Sequence, residues 1–312
     1  MGLNKYIIKR IILLVFLLWA VSTMIFFLIH LIPGDPVVSI LGEGANQQDI
    51  ERLRNQLGLN KPLIEQYISY FKDILNFNLG NSIFNNKSVI SNILEYLPNT
   101  IYLAIFSMII AILISFTAGT ISAFKENTIT DSVITFLSSS ALAIPNFFLG
   151  PLLIILFSIK LGWFPVSGSE GFKYLILPSI TLGTSLSAYL TRIVRVSISK
   201  ELKKPYVLFA RAKGLSEKHI FFHHILKNAM IPIITTIGLQ FGALLTGSIV
   251  TETVFSWQGI GVLLIRSINR RDYPLVQGLI IFITFVYLFI NFAVDISYFF
   301  ISPAIRKEIE KK

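Results

Sequence analysis

His219 and His223 stand four residues apart, which puts two imidazoles on one face of a helix, with His224 beside them. Two rings can begin a metal site, but such a site needs a third ligand, and beyond Glu217 no carboxylate is obvious nearby. They read as a solvated polar face. No Gly-Lys pair occurs anywhere, so the chain has no P-loop and cannot hold ATP by that route. Neither His-Glu-x-x-His nor Gly-x-Ser-x-Gly occurs, which argues against a zinc protease and a nucleophile-elbow hydrolase. The absence of cysteine removes disulfide, thiolate and iron–sulfur chemistry. A non-catalytic chain with no metal or cofactor of its own is expected.

The elements that position these residues are long and apolar. The chain is 54% hydrophobic and 14% charged, so its solvent is largely lipid. Residues 11–32 carry no charge, and as a helix they span about 33 Å against roughly 30 Å of hydrocarbon. Five further runs follow at about 99–124, 132–159, 174–198, 229–251 and 274–301. Six spans are expected, the first an uncleaved anchor, because its apolar run is too long for a signal peptide. Lys and Arg are concentrated at the N-terminus, at Lys125, in residues 197–228 and in the tail, which places both termini in the cytoplasm. Arg266, Arg270 and Arg271 break that pattern but are outnumbered.

Charged groups at mid-membrane usually mark function, and here they are scarce. Asp295 falls near the cytoplasmic end of the sixth span, within reach of basic groups, Arg192 and Arg195 at that end of the fourth, and Glu252 at the outer end of the fifth. No proton relay or sodium site emerges, which counts against a secondary carrier. Pro145-Asn146 interrupts the third span; the break either lines a pathway or is a packing kink. Gly238-x-x-x-Gly242 allows close contact with another helix, of this chain or of a second subunit. In the 33–98 loop, Ile50, Leu53 and Leu57, then Leu63, Ile64, Tyr67, Ile68, Phe71, Ile74 and Leu75, form two amphipathic stripes. They predict a small helical cap, with Pro62 in the first turn of the second helix.

Residues 197–228 are the most unusual segment. Seven Lys or Arg face only Glu201 and Glu217, a net +5 out of +10 for the chain. Pro205 opens one predicted helix, Gly214 ends it, and Ser216 caps the next. Tyr206, Leu208 and Phe209 lie on the first. On the second, Lys218, His219, His223 and Lys227 form one face and Phe221, Phe222, Ile225 and Leu226 the other. A positive helix pair with aromatics either docks a partner or buries that surface against its own spans and the headgroups.

Here the sequence resembles the permease subunits of binding-protein-dependent ABC importers, in the peptide and nickel branch. Ala210, Gly214 and Leu226 match the family's cytoplasmic loop motif, with Leu208, Phe209, His224 and Lys227 departing from it. Ala210-Arg211-Ala212-Lys213-Gly214-Leu215 and His224-Ile225-Leu226-Lys227-Asn228-Ala229 are similar to the peptide branch's own version. So are Ile32-Pro33-Gly34-Asp35-Pro36, Leu57-Gly58-Leu59-Asn60-Lys61-Pro62-Leu63, Glu252-Thr253-Val254-Phe255-Ser256-Trp257-Gln258-Gly259-Ile260-Gly261 and Arg271-Asp272-Tyr273-Pro274. Gln258 replaces the usual Pro, and Ser302-Pro303 replaces Asp-Pro.

The resemblance implies an all-α integral membrane protein of the type I importer fold. Residues 1–32 are the anchor, 33–98 an extracytoplasmic helical loop, and 99–312 the permease core with its coupling loop at 197–228. It implies a multi-pass cell-membrane subunit that pairs in the bilayer with a second permease and with two cytoplasmic ATPases, which bind ATP and Mg. An extracytoplasmic binding protein delivers the substrate, and no nucleic acid is involved. Tyr206, Leu208, Phe209, Ala210, Lys213, Gly214 and Leu215 carry coupling; Pro145, Asn146, Gln240, Gly242 and Gly247 line the pathway. Glu252, Trp257, Gly259 and Asp272 form an outer gate or meet the binding protein. Di- or oligopeptides are the expected substrate, with nickel as the alternative; a stand-alone channel or secondary carrier is the reading from another class.

Overall fold

A computed structural model describes residues 3–31, 37–38, 44–56 and 58–301. The 32–36 motif, Leu57, Ser302-Pro303 and the basic tail lie outside the described residues. Helix α1 (Leu3–Leu31) is followed by α2 (Gln47–Gln56), α3 (Leu63–Leu75) and α4 (Val89–Phe124). Then come α5 (Ile129–Ala143) and α6 (Asn146–Leu153), the latter continuing as a π-helix over Ile154–Lys160. The long α7 (Phe172–Leu202) leads to α8 (Pro205–Ala212) and α9 (Glu217–Ile220). Through a π-turn at Phe221–Ile225, α9 runs into α10 (Leu226–Gly247). Two short helices, α11 (Ile249–Val254) and α12 (Ile260–Asn269), precede α13 (Tyr273–Ile301). The described residues contain no strand, only an isolated bridge between Asn81 and Ser88.

The core forms where α4 crosses α7. Ala104, Ser107, Ala111, Ser115, Gly119 and Ser122 recur every three or four residues, so α4 presents one small-residue face, and all are buried. A Cβ on Gly119 would sit 2.7 Å from Val194, and one on Gly183 would sit 2.8 Å from Ile110, so both glycines set the close approach. Several polar residues of α7 are tolerated because their hydroxyls return to their own helix. Thr181 donates to the Leu177 carbonyl and Thr191 to that of Ser187, at 2.8 and 2.7 Å.

Those buried hydroxyls explain a difference from the six-span expectation. Among the described residues, four segments are long and apolar enough to cross a membrane: Ile7–Leu31, Val89–Phe124, Glu217–Leu245 and Tyr273–Ile296. A fifth span exists if α5 and α6 count together, although they meet at 98°. Helix α7 has 31 residues but is too rich in Ser and Thr to be counted on apolarity, so six spans are not confirmed. The third span, expected to be interrupted at Pro145-Asn146, is two limbs there. Ile144 is held extended before Pro145, and Pro145 in turn precedes the first residue of α6.

The predicted cap forms, with Pro62 one residue before α3 rather than inside it. It packs on α1: Tyr67 meets Phe26 edge-on and Tyr70 meets it at a tilt, and the Tyr67 hydroxyl lies 2.9 Å from Thr23 Oγ1. Ile64, Ile68 and Leu75 remain exposed.

Candidate functional site

The connector between α7 and α10 is built in layers. Val207, Ala210, Ile220 and Ile225 are buried against Ala123, Val194, Ile198, Ala229 and Ile233, and this anchors α8 and α9 to the helix ends. The opposite side presents Leu208 at 71% exposure, Phe209 at 63% and Phe222 at 61%, an apolar surface unusual for a solvated connector. Ala210 therefore faces inward rather than toward a partner. Phe222, expected on the same face as Ile225, points out instead. Its segment is a π-turn, which rotates successive side chains by less than an α-helix does. The second helix is not a separate short element; it is the start of the fifth long helix.

Gly214 adopts φ +79°, and no heavy atom lies within 4 Å of where its Cβ would be. The chain turns there from α8 to α9, and Ser216 caps α9 by accepting from the His219 N–H at 3.4 Å. Arg211 clamps Glu217 across the turn through Nε and Nη2, at 2.7 and 3.1 Å. Lys213 Nζ lies over the Phe209 ring, 4.7 Å from its centre. Leu215 is partly exposed beyond the turn. Tyr206 is half-buried and donates to Glu201 at 2.7 Å; burial, then this carboxylate, push the phenol up to about 12. It therefore stays a donor at neutral pH. His219 and His223 stack with centres 4.2 Å apart, and the described residues hold no cluster of three His, Cys, Asp or Glu suited to a metal.

Of the expected pathway residues, Pro145 is exposed at the break and Asn146 is half-buried, with its Oδ1 2.5 Å from the Ser185 hydroxyl that donates to it. Gln240 is half-buried on α10, and Gly247 is the last residue of that helix. Gly242 does not face an open pathway. A Cβ there would meet Ile290 of α13 at 3.2 Å, and one on Gly238 would overlap Val294. The glycine pair thus serves packing within this chain, not a contact with a second subunit. Gly238→Ile should force α10 from α13 and cost about 1–3 kcal/mol, whereas Gly242→Ala should cost less. Thermal melting of the solubilised protein measures both.

At the opposite end, Glu252 is fully buried, as are Trp257, Gly259 and Asp272. None of the four offers a surface to a binding protein, so that part of the expectation is corrected. Glu252 Oε1 accepts from Ser248 and Thr100 hydroxyls at 2.8 and 2.9 Å. Its Oε2 accepts from the Gly261 and Val262 N–H groups at the N-terminus of α12, at 2.8 and 3.2 Å. Gly259 leaves room for this carboxylate, and so does Gly261, where a Cβ would lie 2.9 Å from Oε2. Trp257 Nε1 donates to the Asn99 carbonyl at 2.9 Å, and Asn99 returns a bond to the Gln258 carbonyl at 2.8 Å. Asp272 caps α13 and accepts from Ser82 at 2.5 Å. Together these bonds stitch α11, α12 and α13 to α4 and to the 79–88 loop.

Sequence reasoning missed the partners of these groups, Asn99, Thr100 and Ser82, and two carboxylates at the other end, Glu126 beside Lys203 and Asp131 beside Arg195. Asp131 was the most legible of them, a lone carboxylate at the edge of an apolar run. The placement of Asp295 beside basic groups holds, since Arg10 lies 2.7 Å away.

The chain is thus a helical membrane bundle with a buried helix crossing, a broken helix and a projecting connector. Residues 115–307 match the family "Binding-protein-dependent transport system inner membrane component", and residues 3–104 match its N-terminal family. The chain belongs to this family, the inner-membrane permeases of binding-protein-dependent ABC importers. Among its relatives is the glutathione transport system permease protein GsiC of Escherichia coli O6:H1, 42% identical over 302 residues, covering 97% of this chain and 99% of that protein. The same-named proteins of E. coli K12 and Shigella dysenteriae serotype 1 are 41% identical with the same coverage. In fold, the chain is similar to the inward-facing MetNI methionine ABC transporter, with a TM-score of 0.59 at 14% identity over 68% of this chain and 96% of that one. It also resembles an amino acid ABC transporter crystallised with histidines, with a TM-score of 0.53 at 16% identity over 66% and 92% of the two chains. These likenesses place the fold in the type I importer class.

Proposed function

We propose that this permease forms half of the pathway of an ATP-driven importer of small peptides, with glutathione-like tripeptides as the leading class. The observation that carries the substrate is 41–42% identity to glutathione permeases over nearly the full length. Those relatives do not favour nickel. On this reading the exposed Leu208, Phe209, Lys213, Gly214 and Leu215 seat in a groove of a cytoplasmic ATPase, and Tyr206 and Ala210 hold that surface from behind. Both termini lie on the ATPase side. A second permease supplies the other half of the pathway, with Pro145, Asn146 and Gln240 on the lining side. The extracytoplasmic binding protein approaches the loops that Glu252, Trp257, Gly259 and Asp272 hold in shape.

The substrate is tested by titrating the cognate binding protein with reduced glutathione, dipeptides and Ni²⁺ while following tryptophan fluorescence. Saturable binding of glutathione or peptides with no response to Ni²⁺ is expected; a response to Ni²⁺ alone would overturn the peptide assignment.

A further inference from the structure

The connector is tied to the bundle by a polar chain that the docking surface does not use. Tyr206 of α8 donates to Glu201 of α7 and accepts from Asn228 of α10 at 3.3 Å, and Lys204 pairs with Glu201 at 2.6 Å. Along α7, Arg195, Ser199 and Lys203 recur at intervals of four and so share one face. That face meets the turn between α4 and α5. Arg195 grips Asp131 through Nε and Nη2 at 2.6 and 2.7 Å, a bidentate pair. Ser199 donates to Glu126 at 2.8 Å, and Lys203 pairs with the same carboxylate at 2.8 Å. Asp131 also accepts from the Ser122 hydroxyl of α4 and from the Asn127 N–H at 3.0 Å.

Helix α5 packs along α7 and α4 through side chains that stay half-exposed. Among residues 129–143, Asp131 alone is buried. An isolated exposed ion pair would contribute little. Here a buried carboxylate and its half-exposed neighbour collect several donors, and removing one partner leaves a buried charge uncompensated.

We propose that Asp131 and Glu126 are positioning residues of the transport cycle, forming a latch through which motion of the connector reaches α5 and the Pro145 break. The latch rests on the importer assignment and extends it. When the ATPases move α8, the end of α7 moves with it through Glu201, and Arg195, Ser199 and Lys203 pull the α4–α5 turn along. Extensive buried packing binds α4 to α7, whereas α5 rests on both more lightly and has Asp131 as its one buried anchor.

The test uses the full complex of this chain, its partner permease and the two ATPases in lipid nanodiscs. The chain has no cysteine, so Phe136→Cys, at an α5 position 70% exposed, accepts a single fluorophore on this subunit. In the otherwise unchanged complex, emission should shift between the nucleotide-free and ATP–vanadate states. Asp131→Asn and Glu126→Ala should each reduce that shift about fivefold or more while ATP hydrolysis stays within about twofold. Should Asp131→Asn fail to assemble, Glu126→Ala carries the test, because its carboxylate is partly exposed. An unchanged shift in the variants overturns the latch. So does a shift that falls in parallel with hydrolysis, which would mark a purely structural role. A labelled complex that hydrolyses no ATP at all contradicts the importer assignment instead.

Discussion

Replacing Gly214 by aspartate abolishes uptake while the chain remains in the membrane in normal amount. The position has φ +79° and open space around its missing Cβ, so the new side chain meets nothing inside this protein. Aspartate is among the few residues that enter the left-handed region readily, which limits the internal cost to about 1 kcal/mol. The damage falls on the surface beside Phe209, Lys213 and Leu215. A carboxylate buried in an ATPase groove without a partner loses its hydration, and one such group at an interface hot spot costs several kcal/mol. Uptake should fall roughly a hundredfold, equivalent to about 3 kcal/mol. Transport assays paired with immunoblots of the membrane fraction separate lost coupling from lost protein. Uptake at the parent rate would remove the docking role from this turn.

The second large effect is at the other end. Glu252→Ala leaves the Gly261 and Val262 N–H groups and two hydroxyls without their shared acceptor, in a site closed to water. By the cost of orphaned buried donors and of a broken charged network, the loss should be about 3–5 kcal/mol. The turn from Ser248 to Gly261 should then come away from Asn99 and Thr100. Glu252→Gln keeps an acceptor for the two N–H groups and should recover part of the loss. Melting curves of the solubilised complex give the order parent, Gln, Ala. An alanine variant that melts with the parent would show that Glu252 does not hold the loop end together.

Much of this arrangement was legible because one-dimensional signals had local causes. Pro145 stops a helix through the residue before it, and Gly214 turns the chain because it can take a positive φ; both positions behave as their residue types dictate. Asp295 was placed beside basic groups by counting rise along a helix. What was not legible depends on which faces meet. Gly238 and Gly242 announce close packing, but only the fold shows that the neighbour is α13 of the same chain. Glu252, Trp257 and Asp272 look like exposed loop residues by position, yet their partners lie at Asn99, Thr100 and Ser82, far away in sequence. Helix α7 weakens a hydropathy argument because hydroxyls such as those of Thr181, Thr184 and Thr191 are satisfied within the helix, which composition does not reveal.

The central claim is that this chain moves substrate only with energy and components supplied by others. The direct measurement is uptake of labelled glutathione into liposomes holding either this chain alone or the full complex with its binding protein. No flux is expected from the chain alone, and uptake by the complex should require ATP and the binding protein. Substrate flux through the chain by itself, or uptake indifferent to ATP, would contradict it.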